Sequence, residues 1–215
     1  MRKLAFLFVV IFLLCACTPR ISTPLPVIPE SPPVPQAPAM PNKPVPKLKV
    51  TVLKLGKADS ILLELSGKTM LIDAGEEDDG SRVAALLRDR GITMLDYVLV
   101  THLDKDHVGG MARVISEFSI GTLLQSHNTE TSEAYTSYRA AAKENGIVPV
   151  QLRIDQTFSL GGAQVHLLPC QRETYEDDND YSVITELTYG KHRFLFAGDA
   201  EKVRLTEVAF VHNGF

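Results

Sequence analysis

The sequence has few of the features that mark a polytopic membrane protein, a nucleic-acid-binding protein or a disulfide-stabilised domain. Its 215 residues contain only three cysteines, and a formal net charge of −4 gives no overall basic field for binding nucleic acid. The uncharged apolar run at residues 4–16 has 13 residues. As a helix it reaches about 20 Å, short of the roughly 30 Å of a bilayer core. The composition also excludes collagen and a fully disordered chain, and the length suits one domain with or without appendages.

The start of the chain has the features of a secretory signal. A basic start and the apolar run lead to Cys17, and residues 14–16 before it resemble the bacterial lipobox. We therefore expect residues 1–17 to be a lipoprotein signal peptide and Cys17 to be acylated, which would anchor an extracytoplasmic protein to the lipid bilayer of a bacterial membrane. The alternative is an ordinary signal peptide with a coincidental cysteine. A lipidated Cys17 leaves Cys170 as the remaining thiol, so any metal site must use histidines and carboxylates.

The next segment is unusually rich in proline. Residues 18–46 hold 11 of the 13 prolines. Proline removes backbone donors and favours the polyproline II conformation, so this segment cannot pack a core. We expect a semi-rigid spacer that carries a folded domain away from the membrane. The alternative is a ligand for a proline-recognising domain.

From residue 47 the pattern changes to that of a folded domain, which we assign to residues 47–215. Strands are predicted near residues 48–55, 61–65, 69–72, 97–100, 123–124, 147–152, 163–168, 182–189 and 193–197. Helices are predicted near residues 81–90, 108–118 and 133–145. Because strands in meanders are interrupted by helices, we expect an α/β layered domain with mixed sheets.

The strongest chemical signal lies at residues 101–110, directly after a predicted strand and directly before a predicted helix. This segment contains His102, Asp104, Asp106 and His107, followed by two glycines that let the backbone pass close to its neighbours. Alternate side chains of a tight loop can converge on a small volume. Imidazole and carboxylate together suit Zn²⁺, Mn²⁺ or Fe²⁺ better than Ca²⁺. We therefore expect a metal site, with a solvated charged loop as the alternative.

This segment resembles the signature loop of the metallo-β-lactamase superfamily, whose commonest form is His-x-His-x-Asp-His. Asp104 stands in place of the second histidine, a variant that resembles the metallohydrolase domain of bacterial competence DNA-uptake channel (ComEC-type) proteins. Further segments at residues 55–62, 71–75, 179–183 and 196–200 resemble motifs of this subgroup and occur in family order. The resemblance implies an α/β, metallo-β-lactamase-like αββα sandwich with mixed sheets.

The resemblance also implies a site for two divalent metal ions, Zn or Mn. His102 and Asp104 would hold one ion. Asp106 and His107 would contribute to the second, and Asp199 would bridge the two. Asp106 would also act in catalysis by orienting the attacking group or accepting its proton.

Several other residues are expected to support this site. Asp73 would lie beneath the metal loop and hydrogen-bond its backbone, while Asp59 and Ser60 at the cleft edge would orient the loop or the substrate. A simple turn is the alternative for each of these. Ser182, which opens a strand, fits a structural role as well as a functional one, and His127 could line the cleft.

The sequence departs from the family pattern in two places. Asp104 makes the ligand set harder and more anionic, which favours Mn²⁺ and a phosphoester over a β-lactam. Family members also have a further metal histidine well after the bridging aspartate, and here 16 residues follow Asp199. His212 is a candidate for that ligand. We therefore expect a domain that is incomplete at its C-terminus and has an exposed sheet edge.

These features predict a membrane-anchored, metal-dependent hydrolase that acts on a small-molecule or polymeric phosphodiester through a metal-bridged hydroxide. The charge does not indicate nucleic acid, because acidic runs at residues 76–79 and 176–178 would repel a polyanion if they rim the cleft. The alternative is a catalytically impaired accessory lipoprotein that uses the same fold to capture DNA or bind the cell envelope. A β-lactamase would rest on the superfamily name alone.

Overall fold

The computed structural model describes residues 45–211. The predicted signal peptide with Cys17, residues 18–44 of the predicted linker and His212 lie outside these residues, and the expectations for them stay predictions. Among the described residues, no helix has the length and apolar character that crossing a bilayer requires.

The described residues form ten strands and five helices, in mixed order along the chain. The strands are β1 (Lys49–Val52), β2 (Ile61–Leu65), β3 (Lys68–Ile72), β4 (Met94–Val100), β5 (Ser119–Gln125), β6 (Val150–Gln151), β7 (Gln156–Leu160), β8 (Ala163–Leu168), β9 (Ile184–Tyr189) and β10 (His192–Phe196). The helices are α1 (Gly80–Asp89), α2 (Lys105–Val108), α3 (Met111–Glu117), α4 (Glu133–Glu144) and α5 (Lys202–Val211). Short 3₁₀ turns lie at Glu77–Asp79 and Asp178–Tyr181.

The first sheet has six strands in sequence order, β1 to β6. Strands β1, β2 and β3 pair antiparallel, whereas β3, β4, β5 and β6 pair parallel, so the sheet is mixed. In β4, Val98 and Leu99 are both fully buried although they face opposite sides of the strand. A near-continuous apolar strand of this kind is typical of a sheet that is covered on both faces.

The second sheet has four antiparallel strands in the order β10-β9-β8-β7. Its inner face packs against the first sheet, and the shared core includes Leu63, Leu99, Val165 and Leu187. The opposite face of the first sheet packs against α1, α3 and α4 around a second core. Helix α5 contacts the Asp178–Tyr181 turn at the rim of the second sheet. The predicted α/β layered architecture with mixed sheets is confirmed.

Several predicted elements differ in their bounds. The predicted helix at 108–118 begins later, as α3, and a separate short helix, α2, precedes it. Gly109 and Gly110 separate the two helices, and the amide of Gly110 donates to the carbonyl of Gly75 at 3.0 Å. A Cβ on Gly110 would lie 2.2 Å from the Ala74 carbonyl oxygen, so only glycine allows this approach. Strand β7 was not predicted, because its five residues include only two apolar ones, Phe158 and Leu160, too few to establish a period. The predicted strand at 147–152 shortens to β6.

The turn between β7 and β8 generates a test of how the two sheets dock. Gly161 has φ +59°, and a Cβ there would lie 2.1 Å from the carbonyl oxygen of Leu65 at the end of β2. Gly190, with φ +60°, has open space at the same position and is a matched control. We expect Gly190→Ala to lower the free energy of unfolding by about 1 kcal/mol through left-handed strain alone. Gly161→Ala should cost ~1–3 kcal/mol more, because it also overpacks the contact between the sheets.

Urea unfolding of both variants, followed by circular dichroism, measures this difference. Equal losses of stability would show that the close approach of Gly161 to Leu65 does not limit the docking of the sheets.

Candidate metal centre

The predicted metal loop lies at one edge of the first sheet because three parallel strands end there. Asp73 follows β3, Thr101 and His102 follow β4, and Ser126 follows β5, where its amide donates to the Val100 carbonyl at 3.3 Å. The carboxyl ends of parallel strands share one edge of a sheet, which is a common place for a functional site. The second sheet reaches the same edge through the loop that follows β10.

Three side chains that are far apart in sequence meet at this edge. One ligand atom from each of His102, His107 and Asp199 lies within 4.8 Å of the others. The two imidazole rings are buried with their centroids 4.1 Å apart, and Nε2 of His107 lies 3.4 Å from Oδ1 of Asp199. The Asp199 carboxylate is partly exposed, so the group opens to solvent on that side.

The buried imidazole nitrogens fit a divalent cation. Nε2 of His102 and Nε2 of His107 are both buried and have no hydrogen-bond partner among the described residues. Leaving such atoms unpaired usually costs about 1–3 kcal/mol each, and most buried polar atoms are paired. Two imidazoles and a carboxylate are the donors that Zn²⁺, Mn²⁺ or Fe²⁺ accept. The residues present at this edge therefore fit a metal ion.

The Asp73 carboxylate holds the loop from below. Its Oδ1 accepts the backbone amide of Thr101 at 2.8 Å, and its Oδ2 accepts the Thr101 hydroxyl at 2.6 Å and Nδ1–H of His107 at 2.8 Å. Asp73 is buried and has φ +56°, a left-handed conformation that directs the chain into the Gly75 turn. This one side chain therefore fixes both the backbone before His102 and the ring orientation of His107.

Asp73 also sets the charge of His107. Burial opposes the charged ring, but the hydrogen bond to Asp73 and the nearby carboxylates of Asp73 and Asp199 outweigh it and raise the pKa of His107 to about 9. Because Asp73 holds the proton on Nδ1, Nε2 is the nitrogen that would lose its proton when a metal ion binds. Metal binding at His107 should therefore release a proton below pH 9.

His102 is neutral, whereas His107 carries a proton on both ring nitrogens. Its Nδ1 lies 3.2 Å from the Thr101 hydroxyl oxygen and 3.3 Å from the Ser182 hydroxyl oxygen. Thr101 donates its own proton to Asp73, so its oxygen can only accept from Nδ1–H of His102. Burial, together with the charge of His107, lowers the pKa of His102, which keeps the ring neutral. The lone pair of His102 therefore resides on Nε2.

Asp104 and Asp106, the two aspartates of the metal loop, are both partly buried. Oδ2 of Asp104 is 3.8 Å from Nε2 of His102, and this side chain is 39% exposed. Burial, and after it the charges of Asp178 and Asp106, raise the pKa of Asp104. Asp106 lies on α2, and its backbone carbonyl accepts the amide of Asp59 at 3.2 Å. The carboxylates of Asp104 and Asp106 are not in the three-residue group, and their roles as ligands stay predictions.

Asp59 and Ser60 lie against the loop on the side of the first hairpin. Besides its bond to Asp106, Asp59 accepts the amide of Gly75 on its carbonyl at 2.9 Å. Burial raises the pKa of Asp59; His107 lowers it, and the other carboxylates of the site raise it further. The Ser60 hydroxyl is buried without a partner among residues 45–211. The backbone of Asp59 thus joins the metal loop to the Asp-x-Gly turn.

His127, the candidate for lining the cleft, contacts Cys170 and Tyr181. It is buried, its Nδ1 lies 3.1 Å from Sγ of Cys170, and its ring meets Tyr181 edge-on. The sequence reasoning also missed Asp180 and Arg204, which the structure buries beside Ser182. Asp180 lies within the motif at residues 179–183, but no pattern in the sequence marks Arg204 as buried.

Comparison with known proteins identifies related chains. The profile of the Metallo-beta-lactamase superfamily matches residues 53–211. Recombination protein 2 of Haemophilus influenzae is 24% identical over 161 residues, which are 73% of this chain and 19% of that protein. ComE operon protein 3 of Bacillus subtilis is 23% identical over 122 residues, which are 57% of this chain and 16% of that protein. This chain therefore matches less than a fifth of the length of either relative.

These two relatives are competence proteins of the predicted type, so the resemblance drawn from the loop and its neighbouring motifs is confirmed. Among solved structures, a metallo-beta-lactamase from Cronobacter sakazakii is 18% identical, covers 69% of this chain and 55% of its own, and superposes with a TM-score of 0.49.

The role of Asp73 can be tested by a change that keeps its size. Asp73→Asn can still accept from the Thr101 amide, but its NH₂ group cannot accept from His107. We expect the affinity for Zn²⁺ or Mn²⁺ to fall about 10–100-fold, because the ring of His107 loses its orienting partner. Asp96→Asn is the matched control, since Asp96 accepts the Thr69 amide at 2.9 Å near the start of β4, away from the metal loop. Isothermal titration of the full-length chain measures both, and equal affinities in both variants would contradict this role.

The environment of Cys170 predicts how fast this thiol reacts. Burial raises the pKa of Cys170 to about 11, although the charge of Arg204 opposes this. The thiolate is the reactive species, so at pH 8 about one thiol in a thousand is available. We expect iodoacetamide to modify Cys170 at least ~100-fold faster in urea than in the folded protein at pH 8. In the folded protein the rate should rise about tenfold per pH unit up to pH 10. Mass spectrometry of the peptide that contains Cys170 measures both rates, and a folded rate equal to the rate in urea would contradict the burial.

Proposed function

Because the chain belongs to the metallo-beta-lactamase superfamily, we propose that it is a metal-dependent hydrolase that cleaves a phosphodiester. The observation that carries this proposal is the pair of buried Nε2 atoms of His102 and His107, which make no hydrogen bond within residues 45–211 and lie with Asp199 in one 4.8 Å group. Such a pair is unfavourable in a purely structural role and is explained when a cation is bound.

Five residues of the site are candidates for holding metal ions. His102, His107 and Asp199 would hold a cation, and Asp104 and Asp106 are the candidates for completing a second position. Divalent cations at such a site would supply Lewis acidity and would lower the pKa of a coordinated water to about 7.

Acid–base chemistry would fall to the carboxylates that line the loop. Asp106 lies on α2 and is partly buried, and it would orient an attacking group or accept its proton. Asp59, half-buried beside it, has a pKa raised first by burial. A carboxyl group of this kind can hold a proton at a higher pH than an exposed one and is suited to return it to a leaving oxygen.

The choice of a phosphodiester rests on the donor set and on the relatives. Asp104 adds a hard, anionic oxygen where the common loop has an imidazole, which suits Mn²⁺ and phosphoester chemistry. The matched competence proteins point toward the same subgroup. We also propose a membrane anchor at Cys17, which the lipobox-like residues before it support.

A binding role without catalysis is the second candidate, and one observation favours it. The compact group contains three ligand atoms, whereas Asp104 and Asp106 stand outside it. A site with one ion would suit an accessory lipoprotein that binds through this fold. Acidic residues around the loop count against long nucleic acid as the ligand, because they would repel its phosphates. Oε1 of Glu76 lies 3.7 Å from Nζ of Lys105, and the charge of Asp178 raises the pKa of Asp104.

Hydrolysis of bis(p-nitrophenyl) phosphate by the full-length chain with Mn²⁺ or Zn²⁺ tests the proposal. We expect metal-dependent turnover that falls by at least ~100-fold in Asp106→Ala, because that variant removes a group that orients or deprotonates the nucleophile. Asp89→Ala, an exposed aspartate at the end of α1, is the control and should keep full activity.

Metal analysis separates the two candidate functions. Two equivalents of metal per chain with turnover support the hydrolase. One equivalent or none, with no turnover in a metal-loaded preparation, would overturn the hydrolase and favour the binding role.

A further inference from the structure

A charged side chain is completely buried beside the metal centre and has no assigned role. Arg204 of α5 is 0% exposed. Its Nε donates to the carbonyl of Ser182 at 3.1 Å, and its Nη2 donates to the carbonyls of Leu168 and Pro169, the latter at 2.9 Å. A buried guanidinium is unfavourable unless its donors are paired, and here backbone carbonyls do most of the pairing.

A carboxylate anchors the far side of the same guanidinium. Nη1 of Arg204 lies 3.4 Å from Oε2 of Glu207, one turn further along α5. Glu207 also accepts the hydroxyl of Tyr175 at 2.7 Å and pairs with Nε of Arg172 at 2.9 Å. The position of the guanidinium is therefore fixed from its own helix as well as from the carbonyls that it contacts.

The carbonyls that Arg204 contacts belong to separate parts of the second sheet. Leu168 and Pro169 lie at the end of β8, and Ser182 lies just before β9. One side chain thus joins α5 to the end of one strand and the beginning of the next. The planar fork of arginine suits this arrangement, whereas lysine offers a single ammonium group that cannot reproduce it.

Ser182 links this clamp to the metal loop. Its hydroxyl lies 3.3 Å from Nδ1 of His102, and the next amide, of Val183, donates to the Thr101 carbonyl at 2.9 Å. Gly198, next to Asp199, packs so closely that a Cβ there would lie 3.1 Å from the Ser182 hydroxyl oxygen. Movement of Ser182 would therefore change the surroundings of both His102 and the residue that precedes Asp199.

Asp180 aligns α5 with this contact. Its Oδ1 accepts the amides of Glu201 and Arg204, both at 3.1 Å, and the side chain is 4% exposed. This caps the first turn of α5, where unpaired amides need an acceptor. The cap holds the helix that carries Arg204 at a defined distance from Asp199.

We propose that Arg204 is a positioning residue for the metal centre: by clamping the Ser182 carbonyl it holds the Ser182 hydroxyl against Nδ1 of His102 and so orients the Nε2 of His102 toward the metal. The proposal rests on the metal-binding part of the proposed function and does not require hydrolysis. Partners that orient a metal-binding histidine typically change metal affinity about 10–100-fold when they are removed.

Arg204→Lys in the full-length chain is the principal test, with Arg172→Lys as the matched control. Arg172 shares the Glu207 carboxylate but makes no contact with Ser182 in the described structure. Zn²⁺ titration and long-range ¹H–¹⁵N NMR of the imidazoles of the metal-free protein are the two measurements. For Arg204→Lys we expect Zn²⁺ affinity to fall about 10–100-fold and the His102 signal to lose its single Nδ1–H tautomer, while the His107 signal stays unchanged. Arg172→Lys should match the wild type in both measurements.

Ser182→Ala keeps the test decisive if Arg204→Lys does not fold. It removes the other end of the same link and should change the His102 signal and Zn²⁺ affinity in the same direction. Wild-type affinity and an unchanged His102 signal in either folded variant would overturn the proposal. Equal changes at His102 and His107 would also overturn it, because they would indicate a general structural effect. If the wild type bound no Zn²⁺, the proposed function would fail, and the NMR comparison would still decide the positioning role.

Discussion

The hydrogen bonds of the Asp73 carboxylate are the interaction on which the rest of the site depends. Within 2.8 Å it accepts the amide and hydroxyl of Thr101 and the Nδ1 proton of His107. The Thr101 hydroxyl, once committed to Asp73, can only accept from His102. This buried carboxylate therefore decides the tautomer of His107 and, through Thr101 and together with the Ser182 hydroxyl, that of His102. Both rings are left with Nε2 as the nitrogen available to a cation.

The metal centre is also a product of the contact between the two sheets. His102 and His107 come from the loop after β4, whereas Asp199 comes from the loop after β10. Gly198, with φ +54°, brings the second loop so close to Thr101 and Ser182 that a Cβ there would lie 3.0 Å and 3.1 Å from their hydroxyl oxygens. On the first sheet, Gly110 allows a similar approach to the Ala74 carbonyl. Glycines at these close contacts thus let the segments that form the metal centre pack tightly against their neighbours.

Charge at this edge is unbalanced until a cation binds. The pKa of both Asp59 and Asp104 is raised, first by burial and then also by neighbouring carboxylates, which include Asp106 in both cases. A divalent cation would relieve this repulsion and pair the two imidazole nitrogens. The clamp formed by Arg204 lies behind this region, where its charge is taken up by carbonyls and by Glu207.

The layered α/β class and the metal loop at residues 101–110 could be predicted from the amino-acid sequence, because hydrophobic periodicity and the spacing of histidines and aspartates are local properties. The resemblance of several short motifs indicated the superfamily. It also singled out Asp73 and Asp199, since each lies in a short motif at the end of a strand. The three-dimensional packing was needed to show that Asp104 and Asp106 lie outside the compact group, that His127 contacts Cys170, and that Arg204 is buried. These contacts join residues from different strands and helices, and their formation depends on how the two sheets pack, which no local pattern records.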